Sequence, residues 1–164
     1  MKSKTPLSHP RGLMRWFLRA PIVLYRMHLG WILGERFLLL THIGRKSRIP
    51  RQTVVEVVYH DRDTDRYIIA SGWCEKSDWL LNISKTPQVF IKVGRRNFSA
   101  IAQRLSIEAA QEALYKYAQK YPGAFGELSK FMLGKRLPAT QQSCQEVVTA
   151  IPFVELIPVG ESAR

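Results

Sequence analysis

The stretch Leu38-Leu39-Leu40-Thr41-His42-Ile43-Gly44-Arg45-Lys46-Ser47-Arg48-Ile49-Pro50-Arg51-Gln52-Thr53-Val54-Val55-Glu56-Val57-Val58 decides the reading of this chain. An apolar, β-branched run enters a turn crowded with cations and hydroxyls, and a second β-branched run leaves it. That pattern predicts a pair of strands joined by a polar connection. Arg45, Lys46, Arg48 and Arg51 repel one another within seven positions. A phosphate or carboxylate partner would relieve a repulsion that solvent only screens. A solvated basic turn is the competing reading of the same residues.

Working outward, 164 residues with 46% hydrophobic content suffice for one domain with a real core and are too few for two ordinary ones. The formal net charge of +12 points to an anionic partner, with nucleic acid, an anionic membrane surface and a polyanionic cofactor as the three classes. Cys74 and Cys144 lie far apart, without metal-ligand or C-x-x-C spacing, so neither a disulfide framework nor a metal site is expected. A reducing cytoplasm fits this cysteine usage best. The apolar stretch from Leu13 to Leu33 is interrupted by Arg15, Arg19 and Arg26, which breaks both a membrane span and the apolar centre of a signal peptide. Trp16, Phe17, Ile22, Leu24 and Tyr25 among those arginines fit an amphipathic helix, packed on the domain or lying on a membrane surface.

The predicted order of elements is an N-terminal helical region bent at Pro21 and Gly30, then strands near 36–43, 52–60 and 66–71. A short helix from Ser77 to before Pro87 and a hairpin of strands at 89–93 and 97–102 come next. Helices from Ser106 to Tyr121, at 123–133 and at 140–150 precede a last strand at 153–157. This order is not the alternating βαβ of a doubly wound sheet, so the expected class is α+β, an antiparallel barrel with peripheral helices. The expected division is a helical extension over 1–35, one barrel domain over 36–158 and a tail over 159–164.

Standard catalytic motifs are absent: no G-x-S-x-G, Walker loop, G-x-G-x-x-G or H-E-x-x-H occurs. His9, His28, His42 and His60 have no carboxylate at diagnostic spacing and read as structural. What remains is the basic turn, the small-residue strand end Ala70-Ser71-Gly72, and a helix carrying Trp79 and Asn82. Small residues let a planar ring approach the backbone, and an indole offers a wall, as a flavin-like cofactor requires. Trp79 and its neighbouring leucines also read as core, the reading the residues alone favour.

The run from Leu39 to Ser47, then Pro50-Arg51, Ala70-Ser71-Gly72, Trp79-x-x-Asn82, Pro87 and Tyr121-Pro122, closely resembles the deazaflavin-dependent nitroreductase family over residues 36–158. The resemblance implies a split β-barrel and coenzyme F420, with FMN as the alternative because related barrels use ordinary flavins. It implies that Arg45, Lys46, Ser47 and Arg51 hold the coenzyme's phosphate and oligoglutamate tail. Gln52, Thr53, Val54 and Val55 would run along the ring system, Ala70, Ser71 and Gly72 would meet the ring, and Trp79, Leu80, Leu81 and Asn82 would flank it. Tyr121 matches a tyrosine near the substrate pocket.

Three departures stand out. Arg48 replaces the usual glycine, so the turn cannot rely on a free positive φ there, though it gains another cation. His42 and Ile43 replace threonines, and the stretch from Phe125 to Ala150 lacks the family's second pocket tyrosine. The implied activity is hydride transfer to a small-molecule electron acceptor, a quinone or nitro compound, with no side chain acting as nucleophile. No catalytic residue is assigned, and the physiological acceptor is left open. Nucleic acid is not expected, since no aromatic residues interleave with the basic turn. A homodimer, and peripheral contact of the 1–35 segment with the inner face of the membrane, are compatible with the reading.

Overall fold

The computed structural model describes residues 34–71 and 74–163. The expected extension over 1–35 therefore lies outside the described residues except for its last two, as does Gly72.

Six strands form a closed antiparallel barrel in the order β1-β2-β3-β6-β5-β4. They are β1 (Phe37–Ile43), β2 (Pro50–Asp61), β3 (Arg66–Ala70), β4 (Gln88–Val93), β5 (Arg96–Arg104) and β6 (Phe153–Ala163). Alternation along each strand sends one set of side chains inward. Leu38 and Leu40 of β1, Val55 and Val57 of β2, Ile91 of β4, Phe98 of β5 and Leu156 of β6 meet in one interior cluster. Pairing of Leu38 with Val55 and of Leu40 with Thr53 fixes the register of the first hairpin. A slip by one residue would turn Val55 and Val57 outward, so burial specifies that register strongly.

Helix α1 (Asp78–Lys85) adds Trp79, Leu80 and Ile83 to the interior cluster. Its preceding Ser77 makes no side-chain cap, because its hydroxyl is hydrogen-bonded to that of buried Ser71 at the end of β3. Helices α2 (Ile107–Lys120), α3 (Pro122–Leu133) and α4 (Gln141–Ala150) build a second core on the outer face. There Leu114, Phe125 and Val147 cover Val58, Ile68 and Phe153. Ser106 and Thr140 cap α2 and α4 by accepting from Ala109 and Ser143 backbone N–H groups at 3.2 Å each.

Two strands outrun their sequence pattern. β2 starts at Pro50, which pairs with Ile43 at the mouth of the turn, where a proline without an N–H is tolerated. β6 continues through 159–163, the stretch expected to be a tail, because Val159 and Ala163 pair with Ser99 and Asn97 of β5. A register shift between Val57 and Tyr59 bends the far end of β2.

Candidate functional site

The β1–β2 connection is a tight cationic turn. Gly44 N–H donates to Ile49 C=O at 3.0 Å and Arg48 N–H donates to Gly44 C=O at 2.8 Å. A Cβ at position 44 would stand 2.5 Å from Ser47 Oγ and 3.0 Å from Arg51 Nε, so glycine is what lets these side chains close over the turn. Arg48 adopts φ 58° without the freedom a glycine would have there. The turn geometry demands the left-handed conformation, and arginine carries its cost.

Helix α1 braces this turn. The carboxamide oxygen of Asn82 accepts from the backbone N–H of Arg45 and from its guanidinium, both at 3.0 Å. With that oxygen committed to acceptance, Asn82 Nδ2 donates to His42 Nδ1 at 3.0 Å, which leaves the proton of a neutral imidazole on Nε2. Burial pushes the His42 pKa down to about 4, with the Arg51 charge adding to the shift and Asp78 opposing it. Asp78, at the start of α1, also pairs with Arg45 at 3.0 Å. Arg51 donates to Ser47 Oγ at 3.4 Å and Arg48 to Thr86 Oγ1 at 3.5 Å. Lys46 is exposed and makes no ion pair among the described residues.

The other sequence-predicted residues divide by strand face. Thr53 and Val55 point into the barrel with Leu40 and Leu38, while Gln52 and Val54 lie on the outer face, with Glu56 and Val58 continuing that stripe. Ala70 and Ser71 are buried at the end of β3. Trp79 and Leu80 are buried in the interior core, and Leu81 is exposed. Tyr121 stands apart from the turn. It caps the C-terminus of α2, packs at 5.6 Å from the Tyr117 ring, and lines a cavity of about 310 Å³ at the far end of β2.

Sequence reasoning missed most of that cavity. Val57, Val58, Tyr59 and His60 of β2 line it together with Glu35, Arg36, Arg62, Lys116, Tyr117, Lys120 and Ala124. Tyr117 supplies a second tyrosine from within α2, upstream of the segment in which one was sought. Its hydroxyl donates to Glu56 Oε1 at 3.5 Å, and burial, reinforced by Glu56, pushes its pKa up to about 12. Arg36 holds the same carboxylate oxygen at 3.3 Å. His60, which has no carboxylate at diagnostic spacing in the sequence, meets Asp65 Oδ1 at 3.0 Å and stacks on Tyr67 with ring centroids 3.9 Å apart. The useful signal was that Asp65 closes the β2–β3 turn, which returns the chain to His60. No group of three or more metal-ligating side chains occurs among the described residues.

The F420H(2)-dependent quinone reductase family matches residues 24–129. The chain belongs to this family. As a member, it is an oxidoreductase and its cofactor is coenzyme F420. Solved structures agree on the fold. A structure described as an F420-H2 dependent reductase (FDR-A) is 19% identical over 75% of this chain and 95% of its own, with a TM-score of 0.50. A domain-swapped dimer is 19% identical over 84% of this chain and 99% of its own, with a TM-score of 0.51. A Listeria innocua protein, solved as a candidate pyridoxamine 5′-phosphate oxidase, is 10% identical over 86% of this chain and 96% of its own, with a TM-score of 0.52. No curated protein matches the chain. The closed antiparallel barrel is of the kind the strand pattern predicted, and the split barrel is the one the resemblance implied. No helix among the described residues is long and apolar enough to cross a membrane.

Proposed function

We propose that the protein uses reduced coenzyme F420 to reduce a small quinone, with the β1–β2 turn gripping the anionic tail of the coenzyme. The observation that carries this reading is the close packing at Gly44, where a Cβ would stand 2.5 Å from Ser47 Oγ and 3.0 Å from Arg51 Nε and would displace both side chains. It leaves a turn edged by Lys46, Ser47 and Arg51, a donor set suited to phosphate and carboxylate oxygens. Asn82 fixes the backbone and guanidinium of Arg45, so part of the turn is organised before any ligand arrives. Arg45 is itself half committed to Asp78, which makes Lys46 and Arg51 the freer cations.

When bound, the coenzyme supplies a hydride to the acceptor. The residues of this chain hold and align. On this reading the outer-face stripe Gln52, Val54 and Glu56 carries the coenzyme's long axis from the turn toward the Tyr117–Tyr121 cavity. Leu81 flanks it, with Ala70, Ser71 and Asn82 buried behind, and Tyr121 faces the acceptor. Trp79, Leu80 and Val55 act through the packing beneath, since they lie in the barrel core. The same reading keeps the enzyme in the cytoplasm, with the 1–35 segment on the barrel or on the inner membrane face. A nitro compound remains the second acceptor class.

Fluorescence titration of oxidised coenzyme F420 against the purified protein, with FMN as control, tests the cofactor site. Turnover of reduced coenzyme with benzoquinones, naphthoquinones and nitroaromatics tests the acceptor. Binding of F420 but not FMN, with quinones turned over fastest, is expected. Binding of FMN alone would overturn the site, and turnover of nitroaromatics alone would overturn the acceptor.

A further inference from the structure

The cavity at the far end of β2 has a composition that the quinone reading does not by itself require. Three tyrosines, Tyr59, Tyr117 and Tyr121, line about 310 Å³, near the lower end of the volumes that ligand sites occupy. Space on that scale takes one or two fused rings, and phenol faces suit a flat, electron-poor partner. The cations around it are unequally engaged. Arg36 pairs with Glu56 at 3.3 Å, Arg62 with Glu35 at 3.1 Å, and Lys116 with Glu112 at 2.9 Å. Lys120 has no carboxylate partner among the described residues, and its ammonium sits 5.2 Å from the centroid of the Tyr121 ring. A cation held against an aromatic wall and lacking an anion is a place for a ligand's negative charge.

We propose that this cavity binds a compact quinone bearing an ionised hydroxyl, and that Lys120 sets its preference for the anion. The inference rests on the F420-dependent reading above and deepens it by naming the acceptor's charge. The ring stacks among Tyr117, Tyr121 and Tyr59, while the oxyanion meets Lys120. Tyr117 contributes a face rather than a donor, because its hydroxyl proton is already directed at Glu56. A neutral quinone of equal size makes the same ring contacts and forgoes the ionic one.

The test reads binding as well as turnover. The coenzyme-free protein is titrated with 2-hydroxy-1,4-naphthoquinone, followed by its visible absorbance, and with 1,4-naphthoquinone, followed by calorimetry. The anion should bind roughly fivefold more tightly, on the scale of one charge-assisted contact partly screened by solvent. Lys120→Met should abolish that preference while leaving 1,4-naphthoquinone affinity within about twofold, and Lys120→Arg should restore it. Lys130→Met, which removes the same charge from an exposed position on α3, controls for the overall field and should leave the preference in place. In the coenzyme-loaded enzyme the same pattern should appear in KM with kcat little changed. Equal loss for both quinones in Lys120→Met, or no loss for either, would overturn the proposal. If F420 fails to bind while the anion preference stands in the coenzyme-free protein, the cofactor reading fails alone. If F420 binds and quinones turn over with no Lys120-dependent preference, this inference fails alone.

Discussion

Asn82 and Arg45, 37 positions apart, are joined twice at 3.0 Å, once through the Arg45 backbone N–H and once through its guanidinium. One buried carboxamide therefore ties the first turn of the barrel to the helix that closes its interior, and it holds His42 with its remaining donor. Replacing Asn82 with Ala leaves the Arg45 N–H and His42 Nδ1 without these partners. Each orphaned buried group costs about 1–3 kcal/mol. A loss of about 2–4 kcal/mol in urea unfolding is expected, together with weaker coenzyme binding under conditions where the variant is still folded. Unchanged stability would mean that water or a neighbouring side chain replaces the carboxamide.

Arg48 offers the opposite kind of substitution. A left-handed conformation costs a side-chain-bearing residue about 1–2 kcal/mol, whereas glycine adopts it freely but gives up about 0.5–1 kcal/mol in chain entropy. Arg48→Gly should therefore stabilise the protein by about 0.5–1 kcal/mol, since the guanidinium gives up an exposed hydrogen bond to the Thr86 hydroxyl that water can replace. The urea midpoint should rise with the slope unchanged. A fall would show that the guanidinium contributes more to the turn than its backbone costs.

How much of this was legible beforehand follows from what kind of order each part depends on. The barrel strands announce themselves through alternation, as in Leu38, Leu40, Val55 and Val57, because a period of two with one buried face is a local pattern. The extra length of β6 is not local. Pro158 and Gly160 carry little strand propensity of their own, and the stretch around them is held by pairing with β5. The turn cations were legible as a charge cluster, yet their brace was not, since nothing in the spacing of His42, Arg45 and Asn82 reveals that one carboxamide serves all three. The Tyr117 cavity was hidden for a related reason. Tyr117 falls on the apolar face of α2, where a tyrosine reads as packing, and only the docking of α2 against β2 brings its hydroxyl to Glu56, 61 positions away.

His42 gives the site a pH dependence with a definite sign. Its pKa falls from 6.5 to about 4 on folding, chiefly through burial. Between those values the unfolded chain binds a proton that the folded chain excludes, so stability is full above about pH 6.5 and declines as the pH drops toward 4. The complete shift corresponds to at most about 3 kcal/mol. Protonation would also place a donor on Nδ1 facing the Asn82 amide, setting donor against donor. His42→Gln, which can still accept from Asn82 but does not titrate, should flatten this part of the profile. Urea midpoints measured at pH 7, 6 and 5 decide it, and identical slopes for the two proteins would remove His42 as the cause.

Lys46 and Trp79 separate the grip on the coenzyme from the packing that supports it. Lys46 is exposed, belongs to no ion pair among the described residues, and stands on a turn held by Gly44, Asn82 and the β1–β2 ladder. Lys46→Ala should leave the urea midpoint unchanged within about 0.5 kcal/mol. If its ammonium meets phosphate or carboxylate, coenzyme affinity should fall about tenfold, matching a charge-assisted contact of roughly 1.5 kcal/mol or more. Rising salt should weaken binding in the parent protein and weaken it less in Lys46→Ala, because the removed term is the one that counterions screen. Trp79 is 7% exposed within the interior cluster, so Trp79→Ala should cost about 3–5 kcal/mol of stability. Its effect on binding should appear as a loss that salt does not modulate. A Lys46→Ala protein that binds coenzyme F420 with parental affinity would reduce the turn to a solvated basic hairpin. A Trp79→Ala protein of parental stability with weakened binding would place the indole against the coenzyme rather than in the core.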